Sequence, residues 1–198
     1  GTSGPIAEAT LIQTARVMLI EEGYKDTVVE INSIGDRDSI AKFARELTAY
    51  YRKNINEMTP ECRQLMKSDV FELLSSHSHG AKTINEKAPR AMDFLSETSK
   101  RHLEEVLEYL EALNIPYTIN NTLIGNRKYC TETIFTIIDD NIAEKKPRQQ
   151  RIVAVGVRYN GLAKRFGTKR DVQGVGMSLL IPSTKPQLRK IVKKMKRP

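Results

Sequence analysis

Cysteine is scarce. The 198 residues hold only Cys62 and Cys130, far apart and in no metal-type spacing. That argues against a disulfide framework and makes a reducing, cytoplasmic compartment the default expectation. Long apolar runs are missing too: none approaches the roughly 18–20 residues that span a bilayer, so no membrane role is expected. The opening GTSGPIAEAT lacks the basic stretch and apolar run of a secretory leader. GTSG also lacks the GK[ST] ending that would place a lysine on phosphates, which rules out a P-loop. Repeats and low-complexity tracts are absent. No Ser/His/Asp or Cys/His arrangement can be argued from spacing, and no catalytic residue is assigned.

What remains is an ordinary globular composition, 39% hydrophobic and 28% charged, with enough residues for a real core. Net charge is +8, which favours an acidic partner such as nucleic acid. The C-terminal KPQLRKIVKKMKRP carries Lys185, Arg189, Lys190, Lys193, Lys194, Lys196 and Arg197. A solvated helix face or linker explains such a terminal run at least as well as a binding surface.

The pattern predicts a helix over 5–23, with Pro5 in its first turn, Ile6, Ala9, Ile12, Ala15 and Leu19 roughly on one face, and Gly23 as the stop. DTVVEIN reads as a strand. A second helix follows, capped by Asp36 or Asp38, with Ile40, Phe43, Ala44, Leu47 and Tyr51 at helical spacing. Thr59-Pro60 opens another helix, and residues 60–113 contain no convincing strand. Their strongest element, 99–113, sets Leu103, Val106, Leu107, Leu110 and Leu113 on one stripe against glutamates. After Pro116 come YTINNTLI and KYCTETIFTIID, joined by a GNR turn, then RQQRIVAVGV, a short YNGLAKRFG helix and VQGVGMSLLI. NIAEKKPRQQR is a polar loop, and 184–196 a last basic helix. Short links predict antiparallel pairing. The fold class is α+β, with an antiparallel sheet, flanking helices and a helical insertion. The expected divisions are 1–58, first part of the core; 59–113, the insertion; 114–183, the rest of the core sheet; and 184–198, the basic segment.

Candidate chemistry is thin. His77 and His79 share a face only if extended, and a surface loop is the better reading; no metal site is assigned. His102 falls on the polar side of its helix and is expected to be solvated. Asp139-Asp140 read as turn residues at a strand end. Gly174-Val175-Gly176 does not open a helix, so close packing explains it better than a dinucleotide. VGVRYNGL is more informative. Gly156 would admit a ligand to the backbone, Arg158 could fork a carboxylate or phosphate, and Tyr159 offers a hydroxyl. A strand-to-helix corner with a surface arginine is the equal alternative.

These stretches resemble a known family. VGVRYNGL is similar to the A-G-G-R-Y-D-G-L signature of histidyl-tRNA synthetases, and LIGNRKYCTETIF to their L-V-R-G-L-D-Y-Y-T-x-T-x-F strand. EINSIGDRDSIAKFARELTAYYR resembles their L-N-S-I-G-D segment and the helix after it. MTPECRQLMKSDVFELL and HLEEVLEYLEALNIPYTINNTLI resemble the start and end of their helical insertion. PIAEATLI resembles the segment after the second class II motif, where D-A-E is usual. The likeness runs in order over nearly the whole chain. It implies a class II synthetase core, with ATP, Mg²⁺, L-histidine and tRNA(His) as ligands and a homodimer as the assembly. The reaction has two steps: the histidine carboxylate attacks the α-phosphate of ATP, then the acyl group moves to tRNA. By family match, the residues that bind histidine or ATP would be Tyr129, Thr131, Thr133, Gly156, Arg158 and Tyr159.

The departures fall on the chemistry. Class II motifs 1 and 2 would lie before residue 1. The family's catalytic arginine falls on Gly125, with Arg127 two residues on. Its aspartate falls on Lys128 and its second tyrosine on Cys130, and a cation replacing an acid reverses the local field. The arginine of the third motif, G-L-E-R-L, falls on Ile181, and A-G-G-R-Y-D becomes Val155 to Asn160. Losing one cationic clamp costs on the order of 10²–10³ in rate, so this chain is expected not to activate histidine alone. The first reading is a histidyl-tRNA-synthetase-like fragment, inactive as this chain. The alternatives are a paralogue resembling the ATP phosphoribosyltransferase regulatory subunit, which would co-purify with its enzyme, and a non-catalytic tRNA-binding module, whose binding would weaken with salt.

Overall fold

The computed structural model describes residues 2–140, 151–170 and 172–180. The expected basic helix of 184–196, residues 141–150 of the expected polar loop and Ile181 lie outside the described residues, and Arg151, the loop's last residue, opens a strand instead. Helix α1 spans Ile6–Glu21, and the chain leaves it through Gly23 at φ +98°. Strand β1, Thr27–Ser33, leads into α2, Arg37–Lys53. Of the two candidate caps, Asp36 is used: its carboxylate accepts from the Ser39 N–H at 2.8 Å. Thr59 caps α3, Pro60–Ser68, in the same way through the Cys62 N–H. Short helices α4, Val70–Leu74, and α5, His79–Asn85, follow. Helix α6 is Glu97–Ala112, capped by Ser96. The remaining elements are β2, Tyr117–Ile119; β3, Thr131–Asp139; β4, Arg151–Arg158; α7, Leu162–Arg165; and β5, Val175–Leu179. Among the described residues no helix is long and apolar enough to cross a membrane.

Five strands form one sheet in the order β2-β1-β3-β4-β5. The expected antiparallel pairing holds for β1–β3, β3–β4 and β4–β5, while β1–β2 is parallel. YTINNTLI is therefore not the hairpin partner of the strand after it. Only Tyr117–Ile119 is extended, and it docks on the far side of β1, with Val29 opposite Tyr117. The chain then has to pass β1 to reach β3, so the short-link rule does not apply here.

One sheet face carries Val29, Ile31, Phe135, Ile137 and Ala154, and packs against Ile12, Ala15 and Leu19 of α1 and Leu103, Val106 and Leu110 of α6. A second cluster joins Phe43, Leu47 and Tyr51 of α2 to Cys62, Phe71, Leu74 and Ile84 of α3–α5, and reaches the sheet through Cys130 and Ile134. Two apolar clusters thus hold the sheet from opposite sides.

Candidate active site

Strand β3 does not alternate as its sequence suggests. Glu132 has φ +51°, in the left-handed region, and the register shifts between Thr131 and Ile134. This is a β-bulge, which re-aims side chains and ends regular pairing. Regular alternation would set Tyr129, Thr131 and Thr133 on one face of the strand, and the bulge prevents it. Tyr129 lies in the turn before the strand and is exposed. Thr131 sits opposite Arg158, and its hydroxyl accepts from the Asn160 N–H at 3.2 Å. Thr133 is buried opposite Ser33.

Arg158 is neither a surface residue nor open to an external ligand. It is fully buried, as is Glu8. Arg158 Nε and Nη2 donate to the two Glu8 carboxylate oxygens, each at 2.6 Å, in a bidentate fork. Its Nη1 donates to the Thr2 carbonyl at 3.0 Å and its Nη2 also to the Gly4 carbonyl at 3.2 Å. The carboxylate that suits this fork is the chain's own. His102, expected in solvent, is the third member: its Nε2 lies 2.8 Å from Glu8 Oε1, with only 14% of its side chain exposed. It reaches in because it flanks the buried Leu103–Val106–Leu110 stripe of α6, and α6 packs on α1. Burial pushes the Glu8 carboxyl up, but hydrogen bonds from Arg158 and His102 outweigh it and hold the group below its ordinary value.

A polar chain continues from this cluster. Ser99 donates its hydroxyl to Glu132 Oε1 at 3.0 Å, and Ser96 donates to Asp36 Oδ2 at 2.8 Å. The Ser96 and Ser99 hydroxyl oxygens are 3.1 Å apart. The N-termini of α2 and α6 are tied together here, and to the bulge. Burial raises the Glu132 pKa, and its second oxygen is buried without a hydrogen-bond partner among the described residues.

Gly156 offers no room to a ligand. A Cβ there would stand 2.1 Å from the Phe135 ring, so the missing side chain admits that ring. Tyr159 fills the space above Gly174 and Gly176, at the start of β5, in the same manner. A Cβ on Gly174 would be 2.4 Å from its ring and one on Gly176 3.1 Å from its hydroxyl. Close packing is the right reading for these glycines, against a side chain rather than a backbone. Thr131, Gly156, Arg158 and Tyr159 thus gather at the β3–β4–β5 end of the sheet, each already engaged within the chain.

The other sheet face is more open. Glu30, Thr136, Ile138 and Ile152 line a groove of about 530 Å³, bounded by Asn120, Thr122, Ser75, His77 and Lys82. Thr136 is 3% exposed and its hydroxyl has no partner among the described residues. Beside the groove lies Gly125, where a Cβ would sit 2.8 Å from the Cys130 sulfur. His77 is exposed and His79 opens α5. Among the described residues no three His, Cys, Asp or Glu side chains are placed to hold a metal ion.

Sequence reasoning missed Glu8, His102 and Glu132 as members of the site. A signal for the first exists: Glu8 shares its helix face with Ile12, Ala15 and Leu19, and an acid on a buried stripe requires a partner. The bulge at Glu132 leaves no comparable trace.

No protein-family model matches the chain. The histidine–tRNA ligase of Rippkaea orientalis is 30% identical over 179 residues, which cover 90% of this chain and 40% of that one. The apo histidyl-tRNA synthetase of S. aureus shares the fold at a TM-score of 0.66 and 28% identity, over 90% of this chain and 42% of that chain. An ATP phosphoribosyltransferase regulatory subunit/histidyl-tRNA synthetase from Bacillus halodurans shares the fold alone, at a TM-score of 0.56 and 17% identity, over 100% of this chain and 51% of that one. The chain spans about 40% of the length of the curated relatives it matches.

Proposed function

We propose, from the premise that the chain is a partial histidyl-tRNA-synthetase-like catalytic core, that it forms the framework of a histidine-activating site and does not activate histidine by itself. The single observation that carries this is the state of its arginines. Arg158 is buried and spent on Glu8, and the position of the family's catalytic arginine is Gly125. Charge developing on a transferred phosphoryl group needs cations already in place, and the matched site residues of this segment supply none. Among the described residues no three His, Cys, Asp or Glu side chains are grouped to hold a metal ion by themselves; a Mg²⁺ in the complete ligase would be held by the nucleotide's phosphates with one or two carboxylates.

In this reading ATP, Mg²⁺, L-histidine and tRNA(His) are ligands of a complete ligase, a homodimer to which this segment contributes. The groove beside Thr136 and Asn120 is the space in which an amino acid would lie. The family-matched Tyr129, Thr131, Thr133, Gly156, Arg158 and Tyr159 do not line this groove; in this reading they support the sheet of the complete site. ATP–pyrophosphate exchange with histidine tests the proposal. No exchange is expected from this chain, and clear turnover overturns it. A thermal shift with histidine alone separates a groove that still binds from one that does not, since a ligand at about 100 times its dissociation constant stabilises by roughly 2.7 kcal/mol.

A further inference from the structure

The polar chain at the β3 bulge has more contacts than it has hydroxyl hydrogens. Three oxygen–oxygen gaps lie in series: Glu132 Oε1 to Ser99 Oγ at 3.0 Å, Ser99 Oγ to Ser96 Oγ at 3.1 Å, and Ser96 Oγ to Asp36 Oδ2 at 2.8 Å. Each serine hydroxyl has one hydrogen to donate. If both carboxyls are ionised, Ser99 donates to Glu132 and Ser96 donates to Asp36, and the middle gap holds no hydrogen. One proton on a carboxyl supplies the third. Every contact then becomes a hydrogen bond, and all three run in one direction.

That proton belongs on Glu132. Asp36 is served on both oxygens as a carboxylate: Oδ1 accepts the Ser39 N–H at 2.8 Å, and Oδ2 accepts the Ser96 hydroxyl. Glu132 Oε2 is buried with no hydrogen-bond partner among the described residues, which a charge tolerates far less than a neutral carboxyl does. Of the charged groups facing Glu132, Arg158 of β4 and His102 of α6 favour ionisation, and Asp36 at the start of α2 opposes it. Arg158 and His102 are both engaged by Glu8 of α1, which blunts their pull. Burial is the largest influence, and it pushes the Glu132 carboxyl up. The backbone keeps the side chain in place. The Glu132 N–H donates to the Gly35 carbonyl at 2.9 Å, and its carbonyl accepts the Ile34 N–H at 3.1 Å. These bonds hold it at φ +51°, a costly conformation for any residue but glycine.

We propose that Glu132 carries the proton and heads a directional chain, Glu132 to Ser99 to Ser96 to Asp36, which latches the first turns of α2 and α6 to the β3 bulge and opens when Glu132 ionises. Glu132 falls on an unspecified position of the T-x-T-x-F pattern, so the resemblance gives it no role. The inference goes beyond the ligase reading: it uses no residue of the groove, and its failure leaves that reading untouched. The bulge carries the effect toward the sheet end, because Thr131, next to Glu132, holds the Asn160 N–H at 3.2 Å.

The test uses the full chain and its Glu132→Gln and Ser99→Ala variants, each verified as folded by circular dichroism. Infrared difference spectra of the wild type against Glu132→Gln, taken across pH, report the carboxylic acid directly. At about pH 5.5, roughly one unit above an ordinary glutamate, the wild type should show one protonated carboxyl that the variant lacks. Amide hydrogen exchange, corrected for its intrinsic pH dependence, reports the latch. The Ser39 and Ser99 N–H groups are held by Asp36 and Ser96. Their protection should fall together by about fivefold as Glu132 ionises, the contribution of one net hydrogen bond. In Glu132→Gln, whose amide can still donate to Ser99, it should stay level. In Ser99→Ala the chain is cut, so Ser39 should no longer respond although Glu132 still titrates. If Glu132→Gln does not fold, exchange in the wild type against Ser99→Ala decides alone. An ionised Glu132 at pH 5.5 overturns the proposal. So does a neutral Glu132 whose ionisation leaves both amides unmoved, which would be a buried acid and no latch.

Discussion

The Glu8–Arg158 pair should dominate the mutational sensitivity of the fold. Glu8→Gln leaves a fully buried guanidinium with only neutral acceptors, the Thr2 and Gly4 carbonyls and the Asn160 side chain. Arg158→Met leaves a buried carboxylate facing His102 alone. Breaking a buried pair from either side costs about 3–5 kcal/mol, because the surviving charge has lost its water and its partner. That is a large part of the roughly 5–15 kcal/mol by which a domain is folded. With a urea m-value near 2 kcal/mol/M, the unfolding midpoint followed by circular dichroism should fall by about 2 M in each single variant. The double variant Glu8→Gln/Arg158→Met strands neither charge, so it should be less damaged than the sum of the singles by about 2–3 kcal/mol. The exposed Arg90–Asp93 pair is the internal contrast: Arg90→Ala should leave the midpoint in place. The stability that Glu8 contributes is fully present above the unfolded-state carboxylate pKa and is lost as pH falls through its lowered folded value. The acid limb of the wild-type pH–stability curve should therefore be shallower in Glu8→Gln, with the part due to Asp36 remaining. A midpoint shift below about 0.5 M in Glu8→Gln, equivalent to roughly 1 kcal/mol, would refute the premise that the pair is dry and unshared.

Glu132 has the opposite sign. Burial raises its pKa, so the wild type should lose stability as pH rises through that raised value, and Glu132→Gln should lack this alkaline-side decline in urea midpoints measured from pH 4 to 8. Gly156→Ala drives a methyl into the Phe135 ring and should cost about 1–3 kcal/mol; adding Phe135→Leu should recover part of that, whereas a ligand cavity at Gly156 would have tolerated the alanine. Burial pushes the Cys130 thiol up to about 11, so a thiol-reactive disulfide reagent at pH 8 should modify it only as fast as the protein unfolds; a rapid native-state reaction at Cys130, located by mass spectrometry, would contradict its burial.

The elements that local rules govern are legible in the sequence. The α1 stripe, the Asp36 and Thr59 caps and the Gly23 stop each depend on residues within one turn, and each is where the pattern puts it. The motif order also reveals the synthetase-like core, since six stretches in sequence constrain a topology that none fixes alone. What escapes is decided across the chain. Three residues of β2 carry too little pattern to choose between a hairpin with β3 and a parallel edge beside β1. The bulge at Glu132 breaks the period on which the facing of Tyr129, Thr131 and Thr133 depends. Arg158 offers a correct chemistry, a fork for a carboxylate, with the acceptor supplied 150 residues earlier rather than by a ligand. His102 is the same lesson in smaller form: a position beside an apolar stripe is polar by sequence, yet dry once α1 covers it.

That separation of 150 residues between Glu8 and Arg158 bears on how the chain is made. Synthesis runs from the N-terminus at about 5–20 residues per second. Helix α1 therefore emerges roughly 8–30 s before the strand that carries its arginine. Through that interval its inward face presents Ile12, Ala15 and Leu19 beside a carboxylate whose partner does not yet exist. Charged, that carboxylate resists burial without a partner. The ion pair can close only when the first helix and the fourth strand are both in place.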